Sequence, residues 1–165
     1  MTIAAAQVLV RNTHPDDLLG WLFGALSATY GSRCFRTEWR GFGSVIPQIG
    51  VATQPVGLTI QVDADPDYVP AERDELADEL TPHFPTTVVD RVRSSDCRLD
   101  IMSATPNEPL VTDDAIIALA STDLDPLAAD VDEVVRQLVA LTHGTALDCV
   151  NGRFLASAEG AWVEL

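Results

Sequence analysis

Leu58-Thr59-Ile60-Gln61-Val62 followed by Asp63-Ala64-Asp65-Pro66 and a helical pattern from Pro70 sets the architecture. Leu58, Ile60 and Val62 point one way and Thr59 and Gln61 the other, the period-two signature of a half-buried strand. The Asp-x-Asp-Pro run is an Asx turn that leads into a helix. Similar punctuation stands at Asn12-Thr13-His14-Pro15 and at Asp123-Leu124-Asp125-Pro126. An acidic residue returns in the strand expected after each helix: Glu38, Asp90 and Asp148.

Working outward, the chain reads as three βαββ-like units, at about 4–53, 57–106 and 115–165, in a single domain over residues 1–165. In the first unit Ala6, Val8 and Val10 mark a strand. Thr13 is expected to cap a helix that Pro15 begins and Gly31 stops. A strand at Arg33–Arg40 follows, and Pro47 and Pro55 place Val45–Thr53 at an edge or in an irregular return. In the second unit Leu76, Ala77 and Leu80 form the inward stripe of a helix closed by Pro82 and Pro85. Thr86–Arg93 and Cys97–Ser103 then read as a hairpin, with Cys97, Leu99 and Ile101 facing in and Arg98 and Asp100 facing out. In the third unit Ala115–Ala120 is a continuously apolar strand, and a helix runs from about Leu127 to Thr142. Asn151-Gly152 turns a hairpin. The expected class is α+β: about eight mostly antiparallel strands with three helices packed on one face. The order from Gln7 to Arg93, read as βαββαβ, also matches a ferredoxin-like start.

Charge narrows the function. The chain carries 25 acids against 10 bases, a net charge of −15, and every base is arginine. Such a chain repels nucleic acid and anionic lipid and attracts basic protein; a salt-adapted composition gives the same bias. No run is apolar for the roughly 20 residues that a membrane span needs. Cys34, Cys97 and Cys149 have no zinc spacing and read as buried reduced thiols in a cytoplasmic protein.

The densest acid lies in the second unit: Asp63, Asp65, Asp67, Glu72, Asp74, Glu75, Asp78 and Glu79, against Arg73 alone. These residues are the expected contact surface for a basic partner. Asp63–Asp67 does not make a calcium loop, because Tyr68 stands where the turn glycine belongs and Asp74 where the bidentate glutamate belongs. Neither a metal nor a cofactor is expected. Asp90, if it lies on a strand with Val88 and Val92, is a buried carboxylate. With Trp21, Phe35 and Trp39 it defines an alternative: a small-molecule pocket between the sheet and the first helix. The first helix is apolar around most of its circumference (Leu18, Leu19, Trp21, Leu22, Phe23, Leu26), which suits a homodimer through it. No catalytic motif is present. The expected function is a non-catalytic, immunity-type inhibitor of a basic toxin or enzyme.

Overall fold

Every residue of the first strand, β1 (Ala6–Val10), is buried apart from the half-buried Gln7. A strand covered on both sides must have helices on both sides, and that is the architecture. A computed structural model describes residues 5–53, 57–104 and 129–165. The described elements after β1 are α1 (Leu18–Tyr30), a 3-10 turn at Gly31–Arg33, β2 (Cys34–Gly41), β3 (Ser44–Val51), β4 (Gly57–Asp63), α2 (Val69–Leu80), α3 (Thr86–Arg93), β5 (Cys97–Ala104), α4 (Ala129–Thr142), β6 (Thr145–Asp148), β7 (Arg153–Leu155) and β8 (Val163–Glu164). The eight strands form one antiparallel sheet in the order β2-β3-β4-β5-β1-β6-β7-β8.

Strand alternation sorts the core into two. Val8, Ile60, Leu99 and Ile101 pack under Leu22 and Leu26 of α1 and under Val134, Val135 and Leu138 of α4. Leu9 and Phe154 pack under Leu76, Ala77 and Leu80 of α2 and under Val89 and Val92 of α3. The helices therefore cover both faces, not one.

Other expectations change for physical reasons. Thr86–Arg93 is a helix, so the described residues hold four helices rather than three. Its run of threonines and valines favours a strand locally. But Val88, Val89 and Val92 also lie on one helical face, and burying them against α2 outweighs the propensity. Arg91 and Arg93 in its last turn complement the helix dipole. The second unit thus runs βααβ. The order from Gln7 to Arg93 is βαβββαα, in place of βαββαβ. The leading strand expected at Ala115–Ala120 and the turn at Asp123–Pro126 lie outside the described residues.

β3 is not an edge strand; among the described residues β2 is. Pro47 is tolerated because β4 pairs only with Ile49, Gly50 and Val51, which leaves the β4 side of Pro47 without a ladder to break. The first helix starts later than expected. Asn12 Oδ1 accepts the His14 N–H (2.9 Å) in an Asx turn, and Asp17, not Thr13, caps α1 by accepting the Gly20 N–H (3.1 Å). The same Asx geometry recurs at Asp63, which accepts from Asp65 N–H at 2.9 Å.

The β6–β7 turn is organised by Asp148, which is fully buried. Its carboxylate accepts from Val150 N (3.1 Å), Asn151 N (3.1 Å), Asn151 Nδ2 (3.0 Å) and Arg153 Nη2 (2.7 Å). Burial pushes its pKa up, but the donors from Asn151, Arg153 and Val150 outweigh burial and hold it below the ordinary 3.8. A depressed carboxyl stabilises the fold above its unfolded pKa and loses that contribution as pH falls through the folded value. Asp148→Asn is expected to cost about 1.5–3 kcal/mol near neutral pH. Urea titrations of the two proteins should converge below about pH 4.

Candidate functional site

The eight acids expected to form the contact surface do not act as one field. Buried Val69, Leu76, Ala77 and Leu80 fix the rotation of α2 on the sheet, and that rotation deals the carboxylates to different places. Arg98, reaching from β5, holds three carboxylates: Asp63 (Nη2–Oδ2, 3.0 Å), Asp100 (Nε–Oδ1, 2.7 Å) and Glu72. Arg93 of α3 holds Asp78 (2.9 Å), and Arg73 holds Asp74 (3.0 Å) while donating to Ser95 O at 2.7 Å. Asp65 Oδ1 accepts the Asp67 N–H at 2.8 Å. Glu75 and Glu79 have no ion pair and no side-chain hydrogen bond among the described residues.

Those two glutamates and Glu72 stand on one face of α2, spaced by three and four residues, so their side chains neighbour one another. Together they rim a groove of about 250 Å³ between α2 and the sheet. Its floor is Leu76 of α2, Leu9 and Gln7 of β1, and Leu147 of β6. A mainly leucine floor under Glu75 and Glu79, which have no partner among the described residues, matches a long basic side chain, whose methylenes lie on leucine while its head meets the charge.

Arg98 and Asp100 do not face solvent. They lie on the sheet face under α2, with side chains 12 % and 10 % exposed. Burial raises the Asp100 carboxyl, and the hydrogen bond and charge of Arg98 only partly offset it. Arg98 therefore works inside the protein, stitching α2 to β4 and β5.

The residues named for the alternative pocket are not brought together. Trp21 stacks on His14 (centroids 4.5 Å apart), beside an open depression of about 570 Å³ at the start of α1. On β2, Cys34 and Arg36 reach α1, Cys34 packing with its buried face and Arg36 lying over Phe23 at 5.5 Å. Phe35 and Trp39 alternate with Arg36 and lie on the face away from α1, Phe35 over Gly50 of β3 and Trp39 over Gly41 of its own strand. Asp90 is exposed on α3, because its segment is helical. Glu38 is exposed on β2, and Asp148 is enclosed in its own turn, so the three recurring acids share no surface. Asp63, Asp65 and Asp67 do not converge either, and no group of three or more metal-ligating side chains gathers among the described residues.

Cys34 and Cys97 are buried, as expected, but Cys149 is not. Its thiol turns back to Leu147 O. No described helix is long and apolar enough to cross a membrane.

Sequence reasoning found the acid but missed its neutralisers and the groove floor. Arg93 and Arg98 come from elements outside the acidic segment, and Leu9 and Leu147 from strands far from α2 in sequence. The available signal was Leu9, an apolar residue on the face of β1 opposite Val8 and Val10, which calls for a cover on that side. The chain matches no protein-family model, no curated protein and no solved structure.

Proposed function

We propose that this chain is an acidic, non-catalytic protein-binding module that captures a basic partner through the groove under α2. In its sharpest form it is an immunity-type inhibitor that occupies the cationic site of a toxin or enzyme. One observation carries the reading: Glu75 and Glu79, unpaired among the described residues, stand over the leucine floor of Leu9, Leu76 and Leu147. The remaining charge, part of a net −15, steers a basic partner toward the molecule over a Debye length of about 8–10 Å. The groove then selects a basic side chain from among the encounters. The partner class follows from sign and shape: nucleic acid is repelled, and a purely apolar ligand would desolvate Glu75 and Glu79 without giving either a partner.

The test is a titration of the isotope-labelled protein with a blocked arginine peptide, followed at leucine methyl groups. Shifts concentrated at Leu9, Leu76 and Leu147, weakening as salt rises, support the groove. Shifts spread over all acidic surfaces, or none at those three leucines, sink it.

A further inference from the structure

The edge strand β2 carries a second surface, independent of the groove. β2 and β3 turn at Phe42 and Gly43, both with positive φ (50° and 74°), between the paired residues Gly41 and Ser44. A two-residue turn of this kind makes the flanking pair a hydrogen-bonded one. Odd-numbered residues of β2 therefore direct their N–H and C=O groups to β3, consistent with the Ala52 N–H donating to Arg33 O at 2.8 Å. The even-numbered residues Arg36, Glu38 and Arg40 direct theirs outward, where no strand pairs with β2 among the described residues. All three are exposed, and Phe35 is 47 % exposed. Edge strands are blocked by proline, a bulge or charged side chains; β2 has no proline, pairs with β3 without interruption over all eight residues, and its charges Arg36, Glu38 and Arg40 are of both signs, which bars some registers and allows others.

We propose that β2 pairs with β2 of a second copy of this chain, antiparallel about a two-fold axis at Thr37. The strand's own order selects that register. Outward-facing residues must meet outward-facing residues, so the central choices place the axis at Arg36, Thr37 or Glu38. An axis at Arg36 sets arginine on arginine. One at Glu38 sets glutamate on glutamate and Arg36 on Arg40. The axis at Thr37 sets each Arg36 opposite a Glu38, whose partner within the chain is the exposed Arg40 and whose second oxygen faces the neighbouring copy's arginine in this register, and on the other face each Phe35 opposite a Trp39. Opposite charges and aromatic pairs directly across an antiparallel ladder are the favourable cross-strand pairs, and like charges the unfavourable ones. The proposal differs from a dimer through α1, whose Trp21 and Phe23 rings are engaged within the chain by His14 and Arg36.

The register gives a sharp test in the full chain carrying Cys149→Ser. Opposite residues of a non-hydrogen-bonded antiparallel pair lie with Cα atoms about 4.5 Å apart, within disulfide range. Thr37→Cys should cross-link two copies under mild oxidation, while Arg36→Cys and Glu38→Cys should not. Sedimentation velocity should show a concentration-dependent dimer. Glu38→Arg should weaken it by about ten-fold or more, and the swap Arg36→Glu with Glu38→Arg should restore it, circular dichroism confirming the fold. A monomer up to sub-millimolar concentration overturns the proposal, as does cross-linking at position 36 or 38 in preference to 37. If the swap disturbs the hairpin, the Thr37→Cys cross-link decides alone.

Discussion

Arg98→Leu is expected to destabilise the fold by about 3–5 kcal/mol, the cost of breaking a buried ion pair from one side. The Arg98 side chain is 12 % exposed, and its guanidinium bonds Asp63, Glu72 and Asp100. Leucine is apolar but shorter than arginine, so the loss has a charge part and a packing part, and only the charge part depends on pH. What remains is a buried Asp100 with two carboxylates near it and no cation. The pH dependence identifies the cause. Asp100 is already raised above 3.8, first by burial, and losing Arg98 raises it further. A carboxyl with a raised folded pKa contributes stability that is complete below its unfolded value and lost as pH rises through the folded one. The deficit of Arg98→Leu should therefore be largest near neutral pH and shrink toward pH 4, measured by urea unfolding. A deficit that does not change with pH would mean that Arg98 acts through packing alone. Asp148→Asn should also converge with the native protein in acid, but for the opposite reason: there a favourable carboxylate is lost, and here an unfavourable one is relieved.

These two aspartates show how much of the molecule is legible in its sequence. Strand alternation at β1, β4 and β5, the stripe Leu76-Ala77-Leu80 and the Asn151-Gly152 turn can all be read locally, because each depends on residues a few positions apart. The helix at Thr86–Arg93 is not, because Val88, Val89 and Val92 satisfy the strand period and the helix period in part, and only α2, packed against them, decides. Nor is the inward placement of Arg98 and Asp100. Polar residues that alternate with apolar ones read as solvent-facing until a helix is known to cover that side, and Leu9 was the one local hint that it does. The acidic segment was legible as acid. Its division into neutralised and free carboxylates was not, since the arginines that make the division arrive from α3 and β5.

That division yields the functional prediction with the largest effect. Reversing Glu75 and Glu79 together (Glu75→Lys, Glu79→Lys) is expected to lower affinity for a labelled basic peptide, and for any basic protein held from host lysate at low salt, by about 100-fold or more. The pair Asp74→Lys, Asp78→Lys changes the net charge by the same amount on the same helix. It should lower affinity far less, because Asp74 and Asp78 are already held by Arg73 and Arg93. Those exposed pairs are worth about 0–1 kcal/mol each, so the fold survives both replacements and the comparison is fair. Charge at a distance cannot tell the two variants apart, whereas a groove can. Leu147→Asp then separates shape from charge: it adds a negative group to the floor, which should strengthen binding if the field alone matters. If methylene stems lie on Leu9, Leu76 and Leu147, it should weaken binding instead. Equal losses from the two lysine pairs would assign capture to the diffuse field of an acidic chain. A loss confined to Glu75 and Glu79, with a further loss at Leu147→Asp, assigns it to the groove.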